Sequence, residues 1–282
     1  MKRLLIIILS VFIFTTTSAD TTKIKDKFFS SIESLLDSNF EDTDFSIKSK
    51  EGNKPEIGIL TFKPLNDSDD GLTFFQGSLF THDGDRETIN LGLGKRMFSE
   101  DKSFMYGLNV FYDHELDYNH QRGSIGGEIK SSILELNTNH YFGISEQRTG
   151  KNSIKEDVAD GYDLELGAHV PYMPTTKIYT KIFEYEIPGG SDFEGMEYSS
   201  NIGIPNSGLN VEVGFKDYGN SSYEDQWFIN FTFSTNKINK NTTLISEEAF
   251  EKISMEDKKY DKVRRENLIV KSKSFSVKAG GF

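Results

Sequence analysis

Most of the chain beyond residue 43 alternates between apolar side chains and polar or small ones. Residues 88–129 hold three such segments, and in the first of them Ile89, Leu91 and Leu93 are separated by asparagine and glycine. Because successive side chains of a β-strand point to opposite faces, each segment has an apolar side and a polar side. Clusters of Asp, Asn, Ser, Gly and Pro between the segments indicate turns. The pattern predicts twelve β-strands, at residues 43–48, 57–63, 72–81, 87–97, 104–113, 122–130, 132–142, 161–170, 177–186, 196–204, 208–217 and 225–234.

The number and length of these strands favour a transmembrane β-barrel over a soluble sandwich. Bacterial single-chain barrels have an even number of strands, and a tilted strand of about 9–11 residues crosses a bilayer. Several predicted strands have about ten residues, whereas soluble strands average about 5–6. Their polar faces carry charges in mid-strand, such as Glu128 and Glu135, which would line a wet lumen. The segment 177–186 breaks the alternation, and its orientation stays open.

The N-terminus predicts export. Residues 1–19 begin with the basic pair Lys2 and Arg3, continue with an apolar stretch and end in small residues, as a signal peptide does. The alternative is a membrane anchor, but the apolar stretch is too short for a hydrocarbon core of about 30 Å. We expect cleavage near Ala19.

Composition fits an exported barrel and excludes one class of partner. The 282 residues include no cysteine, so no disulfide stabilises the chain, and 13% of them are aromatic. Phenylalanine and tyrosine lie at many strand ends, as in the aromatic girdles of outer-membrane barrels. The formal charge of −12 argues against binding to nucleic acid or to an anionic membrane surface.

The segments that flank the predicted strands have a different character. The spacing of apolar side chains in residues 22–40 predicts a short amphipathic helix. This helix would lie on a membrane surface, at the barrel mouth or on neighbouring protein. After Ser234 the chain becomes polar and highly charged. A closing strand that ends at Phe282 is conceivable, but two glycines just before that residue weaken pairing. The segment 225–234 is therefore the better closing strand.

Nine motifs occur in a fixed order and together carry a family resemblance. They are Leu60–Leu65, Phe75–Gly77, Asn90–Arg96, Tyr106–Asp113, Arg122–Glu128, Asn139–Phe142, Asp160–Asp163, Val170–Tyr172 and Tyr260–Val270. The set resembles the β-domain of inverse autotransporters, the intimin and invasin family. The match covers roughly residues 43–270.

The resemblance implies a twelve-stranded outer-membrane barrel whose lumen is threaded by a linker. In the family that linker leads to a C-terminal passenger on the cell surface, whereas only thirteen residues follow Ile269 here. We therefore expect a translocator whose passenger is absent or vestigial. The expected organisation is a signal peptide at 1–19, a periplasmic amphipathic segment at 20–42, a barrel at 43–235 and a linker with a short tail at 236–282.

Charge complementarity supports a linker inside the pore independently of the resemblance. The polar strand faces offer an asparagine and six carboxylates: Asn109, Asp113, Glu128, Glu135, Asp163, Glu165 and Glu212. The C-terminal segment offers five cations: Lys258, Lys259, Lys262, Arg264 and Arg265. Such charges attract more strongly in a confined pore than on a surface, so the linker is predicted to plug the pore. A charged tail left disordered in solution is the alternative.

No catalytic or metal site is predicted. Asp113, His114, Glu115 and His120 invite a zinc interpretation, but His114 alternates away from the two carboxylates. The chain contains no nucleophile elbow, phosphate-binding loop, zinc-protease motif or dinucleotide fingerprint. We expect a protein that is not an enzyme and has no cofactor.

The sequence thus predicts an all-β, integral protein of a Gram-negative outer membrane. The expected partners are outer-membrane lipid, lipopolysaccharide, the barrel-assembly machinery and periplasmic chaperones, with a surface ligand left open. Three alternatives remain: a stand-alone surface or pore protein that acts through its loops, a truncated adhesin, and a soluble periplasmic β-protein.

Overall fold

Twelve strands form a closed antiparallel barrel in the computed structural model, which describes residues 42–84, 86–187, 190–235, 243–250 and 252–272. In chain order the strands are β1 (Thr43–Lys50), β2 (Glu56–Ser68), β3 (Gly71–His82), β4 (Arg86–Phe98), β5 (Phe104–Glu115), β6 (Gln121–Ser131), β7 (Leu134–Gly143), β8 (Arg148–Thr149), β9 (Lys155–Glu156), β10 (Asp160–Val170), β11 (Met173–Glu186), β12 (Phe193–Gly203), β13 (Leu209–Tyr218) and β14 (Gln226–Ser234). All but β8 and β9 belong to the barrel. Short 3₁₀ helices lie at Lys151–Ser153 and Met255–Lys258.

Each predicted strand has its counterpart, so the prediction of a twelve-stranded barrel is confirmed. Neighbours along the chain pair with each other, and β7 pairs with β10 across the loop that holds β8 and β9. The barrel closes between β1 and β14, where Phe45 lies opposite Phe233. The predicted signal peptide and the N-terminal helix at 22–40 lie outside the described residues.

Alternation places apolar side chains outside and polar ones inside. Leu108 on β5 is 66% exposed on the outer face, whereas its neighbour Asn109 is buried. The strand whose orientation the sequence left open follows the same rule, because Tyr179 and Phe183 of β11 are buried inside while Ile178 is exposed outside. Lys177 and Lys181 of this strand also face inward, because the lumen contains basic as well as acidic side chains, and this obscured the alternation in the sequence. No helix among the described residues is long and apolar enough to cross a membrane.

Inward-facing glycines let aromatic rings lie flat on the wall. A Cβ atom at Gly92 would lie 2.2 Å from the ring of Phe111 on the next strand, and one at Gly167 would lie 2.5 Å from the ring of Tyr179. Any other residue at these positions would push the ring into the lumen. The two rings therefore form flat platforms on different sides of the pore.

The two ends of the barrel differ. At one end, termed the turn end, short connections such as 69–70 and 171–172 join the strands. The first strand starts at this end with Thr43, and the last strand ends there with Ser234. At the other, termed the loop end, the longest connection spans residues 144–159 and holds the β8–β9 hairpin.

Candidate functional site

A segment that follows the barrel in sequence runs through its lumen. Residues 252–272, termed the linker, start at the turn end, where the N–H of Met255 donates to the carbonyl of Lys102 between β4 and β5. They reach the loop end, where the N–H of Ser272 donates to the carbonyl of Asp157. The linker thus spans the length of the pore.

Lysines of the linker hold it at the turn end. Lys259 donates to Asp67 at the end of β2 over 2.7 Å, and Lys262 pairs with Asp42 and Asp44 at the start of β1. Lys258 lies 2.9 Å from the ring nitrogen Nε2 of His169. These three cations therefore meet the rim of the barrel.

Arg265 is the most enclosed cation of the linker. Its two terminal nitrogens donate to the two carboxylate oxygens of Asp113 over 2.8 and 2.7 Å, and one of them also donates to Ser124. The guanidinium lies 4.2 Å above the ring centre of Phe111. Arg122 binds the same carboxylate from the wall over 2.8 Å. Asp113 therefore joins one wall arginine and one linker arginine.

Arg264 makes the corresponding contacts on the other side of the lumen. It donates to both oxygens of Glu165, over 2.5 and 3.0 Å, and to Glu212 over 3.0 Å. Its guanidinium lies 3.8 Å above the ring centre of Tyr179. Each of the two arginines thus stacks on a ring that a glycine allows to lie flat, and each pairs with carboxylates of the wall.

Wall side chains also satisfy the backbone of the linker, which needs hydrogen-bond partners away from water. Arg122 donates to the carbonyls of Glu266 and Leu268, and Tyr141 accepts from the N–H of Glu266. Further bonds of this kind join Gln76 to Val263 (2.8 Å), Asn139 to Arg264 (3.0 Å), Asn90 to Asn267 (2.9 Å) and Arg96 to Lys259 (2.5 Å). These wall residues were not predicted as partners of the linker, although their inward position was readable from the alternation.

The seven lumen residues singled out from the sequence all lie on the inner face of the wall and are buried. Three of them, Asp113, Glu165 and Glu212, meet the linker arginines. The others contact other wall residues: Glu128 pairs with Arg96 and Lys130, Glu135 with Lys177, Asp163 with Asn139 and Tyr141, and Asn109 packs beside Gly126. The wall therefore carries both acidic and basic side chains, of which only the acidic ones were predicted to line the lumen.

A compact ionic cluster lies at the loop end where the linker leaves the pore. Lys271 is 1% exposed and pairs with Glu115 of β5. Arg86 binds both Glu115 and Glu156 of the β8–β9 hairpin, over 3.1 and 2.6 Å, and His120 lies 3.0 Å from Glu156. Ligand atoms of Glu115, His120 and Glu156 lie close enough together for a metal ion. Arg86 and Lys271 already bind the carboxylates of Glu115 and Glu156, so these residues form an ionic cluster.

The loop 144–159 also pairs with the backbone of the linker. Val158 forms an antiparallel bridge with Lys271, and the N–H of Ala159 donates to the carbonyl of Val270 over 3.0 Å. Burial alone would raise the pKa of Glu156, but hydrogen bonds from His120 and Arg86 and the charge of Lys271 lower that pKa to about 2. The carboxylate therefore stays ionised, and the loop forms a clasp over the end of the linker.

The architecture of a barrel threaded by its own C-terminal segment has a match among protein families. The family model of the inverse autotransporter β-domain matches residues 15–267. The chain belongs to this family. Inverse autotransporter β-domains are outer-membrane barrels, so the resemblance in the nine sequence motifs and the outer-membrane assignment are both confirmed.

Individual relatives agree with the family. The chain is similar to an intimin of Escherichia coli O111:H-, at 26% identity over 229 residues, which are 78% of this chain and 24% of that protein. A putative attaching and effacing protein homolog of E. coli K12 is 30% identical over 135 residues, 47% of this chain and 43% of the relative. The chain thus spans less than half the length of these curated relatives.

A solved structure supports the fold alone. A chain from the study "Unveiling the Mechanism Behind the in-meso Crystallization of Membrane Proteins" superposes with a TM-score of 0.68 at 22% identity, covering 82% of this chain and 99% of the other.

Proposed function

We propose that this inverse autotransporter β-domain anchors a C-terminal segment in the outer membrane, guides it to the cell surface and then closes its own pore with the linker. The proposed role is not catalytic. The single observation that supports it best is the binding of the linker arginines to Asp113, Glu165 and Glu212. Ion pairs shielded from water hold a chain in one place more firmly than exposed pairs do, because solvent screens them less.

The orientation follows from the general plan of outer-membrane barrels, which have short turns on the periplasmic side and longer loops outside. The turn end would face the periplasm, and the linker would leave the pore at the cell surface beneath the clasp of residues 144–159. Lipopolysaccharide would surround the loop end, and periplasmic chaperones and the barrel-assembly machinery would insert the chain.

Deletion of residues 258–282 tests the closure. We expect the deletion variant to conduct several times more current than the full chain in planar lipid bilayers, because the deletion removes the groups that fill the lumen. Deletion of residues 273–282 alone is the matched control and should leave the conductance unchanged. Heat-modifiable gel migration establishes that both variants fold. Equal conductance of the full chain and the longer deletion variant would refute the plug.

A surface label tests the anchoring role. An epitope placed after Phe282 should bind antibody on intact cells, because the linker points out of the loop end. The same epitope inserted in the turn 99–103 should bind only after the outer membrane is permeabilised. Accessibility of the turn epitope alone would reverse the orientation and refute export by this route.

A further inference from the structure

The linker fills the lumen unevenly. The inward-facing side chains of β4 to β7 are all buried, and we term this side the packed wall. They run from Arg86 to Arg96 on β4, from Met105 to Glu115 on β5, from Arg122 to Lys130 on β6 and from Glu135 to Tyr141 on β7. On β1, by contrast, every inward-facing residue keeps part of its surface accessible to water: Asp44, Ser46, Lys48 and Lys50. Water therefore reaches the pore on the β1 side.

Accessible polar residues continue along the strands next to β1. Asn230 and Thr232 on β14, Asn210 on β13 and Asn201 on β12 face inward and are half-buried. Register places Lys48 opposite Asn230, and Asn230 opposite Glu212. Together with β1 these residues form a polar strip from the loop end to the turn end, which we term the lysine wall.

Two further lysines face the lumen beside this wall, on β11 and β13. Lys181 and Lys216 share the single carboxylate of Glu197, over 3.1 and 3.0 Å. Lys48 has no carboxylate within ion-pair distance among the described residues, and its ammonium instead lies 4.1 Å above the ring centre of Phe228. Lys48 thus places a positive charge on the lysine wall that no carboxylate in the described part of the chain neutralises within ion-pair distance.

The linker presents only one carboxylate to these lysines. Glu266 feels the charges of Lys48, Lys181 and Lys216, yet within the described part of the chain it makes no direct ion pair, and its side chain accepts instead from the N–H of Leu268. The linker therefore does not neutralise Lys48 by a direct ion pair.

We propose that a water-filled passage runs between the linker and the lysine wall, that it conducts small inorganic ions through the intact protein, and that Lys48 makes it prefer anions such as chloride over potassium. Rings of lysine or arginine select anions in other pores by the same electrostatics. The passage is a further activity of the barrel and does not require a passenger.

The absence of cysteine allows a direct test of the passage. Ser46 faces the lumen from the lysine wall and is half-buried, whereas Ser124 faces it from the packed wall and is 2% exposed. In the folded full chain, a small water-soluble thiol reagent should modify S46C at least about tenfold faster than S124C, because the buried position reacts only through local opening. Equal rates in the two variants would overturn the proposal.

Reversal potentials in planar bilayers with a KCl gradient test the ion preference. The full chain should give a small conductance with a reversal potential of the anion-selective sign, and K48E should lower the chloride-to-potassium permeability ratio by at least about twofold. K54E makes the same charge change on an exposed loop lysine and should leave the ratio unchanged. If K48E fails to fold by heat-modifiable migration, K48Q replaces it.

Several outcomes would overturn the inference: a folded full chain that passes no ions, a ratio that K48E and K48Q leave unchanged, or an equal shift in K54E. None of these depends on whether the linker deletion raises the conductance. A failure of the passage is therefore distinguishable from a failure of the plug.

Discussion

Arg264 and Arg265 are neighbours in the linker, but they meet two different walls. Both guanidinium groups stack on an aromatic ring, and both donate two hydrogen bonds to a wall carboxylate. The side chain of Arg265 is fully enclosed, with 0% exposure, whereas that of Arg264 is 26% exposed. The difference indicates that the packed wall immobilises the linker, while the opposite side leaves room for solvent.

The ion pairs of Arg265 and Arg264 should contribute differently to the free energy of unfolding. Removing one partner from an ionic contact that water cannot reach leaves a buried charge less well compensated, whereas water can replace a lost partner at an accessible pair. Arg265 also belongs to a network, since Asp113 accepts from Asn90 and Arg122 as well. The two arginines therefore form a matched pair for measuring what enclosure contributes.

Replacement of the two arginines should give the largest effect. We expect R265A to lower the free energy of unfolding by about 3 kcal/mol, because Asp113 loses one of its two enclosed arginine partners and water cannot take its place. The matched variant R264A should lower it by only about 1 kcal/mol, since solvent reaches that site. Urea unfolding in detergent micelles, followed by the fluorescence of the single tryptophan, Trp227, measures both values. Equal losses would contradict the difference between the walls.

Filling the glycine below an aromatic platform should give a smaller effect. G92A places a methyl group against the ring of Phe111 and displaces the surface on which Arg265 stacks, at a cost of about 2 kcal/mol. Gly127 is the control, because a Cβ there meets its nearest neighbour at 3.7 Å, an ordinary contact. A loss in G127A as large as that in G92A would show that the ring contact is irrelevant.

Acid should act locally on the clasp and should affect the stability of the whole barrel least. The pKa of Glu156 lies at about 2 in the folded protein, below its ordinary value of 4.5. A depressed carboxyl pKa stabilises the folded state above the ordinary value, and the stabilisation is lost as the pH falls towards the folded value. Hydrogen exchange at residues 157–159, corrected for its intrinsic pH dependence, should be constant above about pH 5 and then accelerate by up to about tenfold per pH unit.

The variant E156Q is the reference for that experiment. Its glutamine does not titrate, so the exchange of residues 157–159 should lose the acid-dependent step. A step of the same size in E156Q would assign the pH dependence to another group of the cluster and contradict the role of Glu156.

Alternation in the sequence was enough to predict the strands, because each inward or outward assignment depends only on neighbouring residues. It could not predict partners inside the lumen. Glu128 and Asp113 both face inward with the same chemistry, yet Glu128 pairs with the wall residue Arg96 and Asp113 with the linker residue Arg265. Only the register between distant strands and the position of the linker decide between the two.

The contacts of the clasp were even harder to predict from the sequence. Lys271 and Glu115 are 156 positions apart in sequence, and Arg86 and Glu156 are 70 apart. No local pattern relates these residues, so linker cations were predicted at 258–265 and Lys271 was not among them. Closure of the barrel brings the four residues together at the loop end.

Disulfide trapping tests the central claim, that the linker lies against the packed wall within the pore. Asn90 on β4 and Asn230 on β14 face the lumen from different sides, and of these two, within the described residues, Asn90 alone bonds to the linker, at Asn267. Under mild oxidation in membranes, the double variant N90C/N267C should form an intramolecular disulfide, whereas N230C/N267C should not. Equal cross-linking of both pairs, or none in N90C/N267C, would contradict the account.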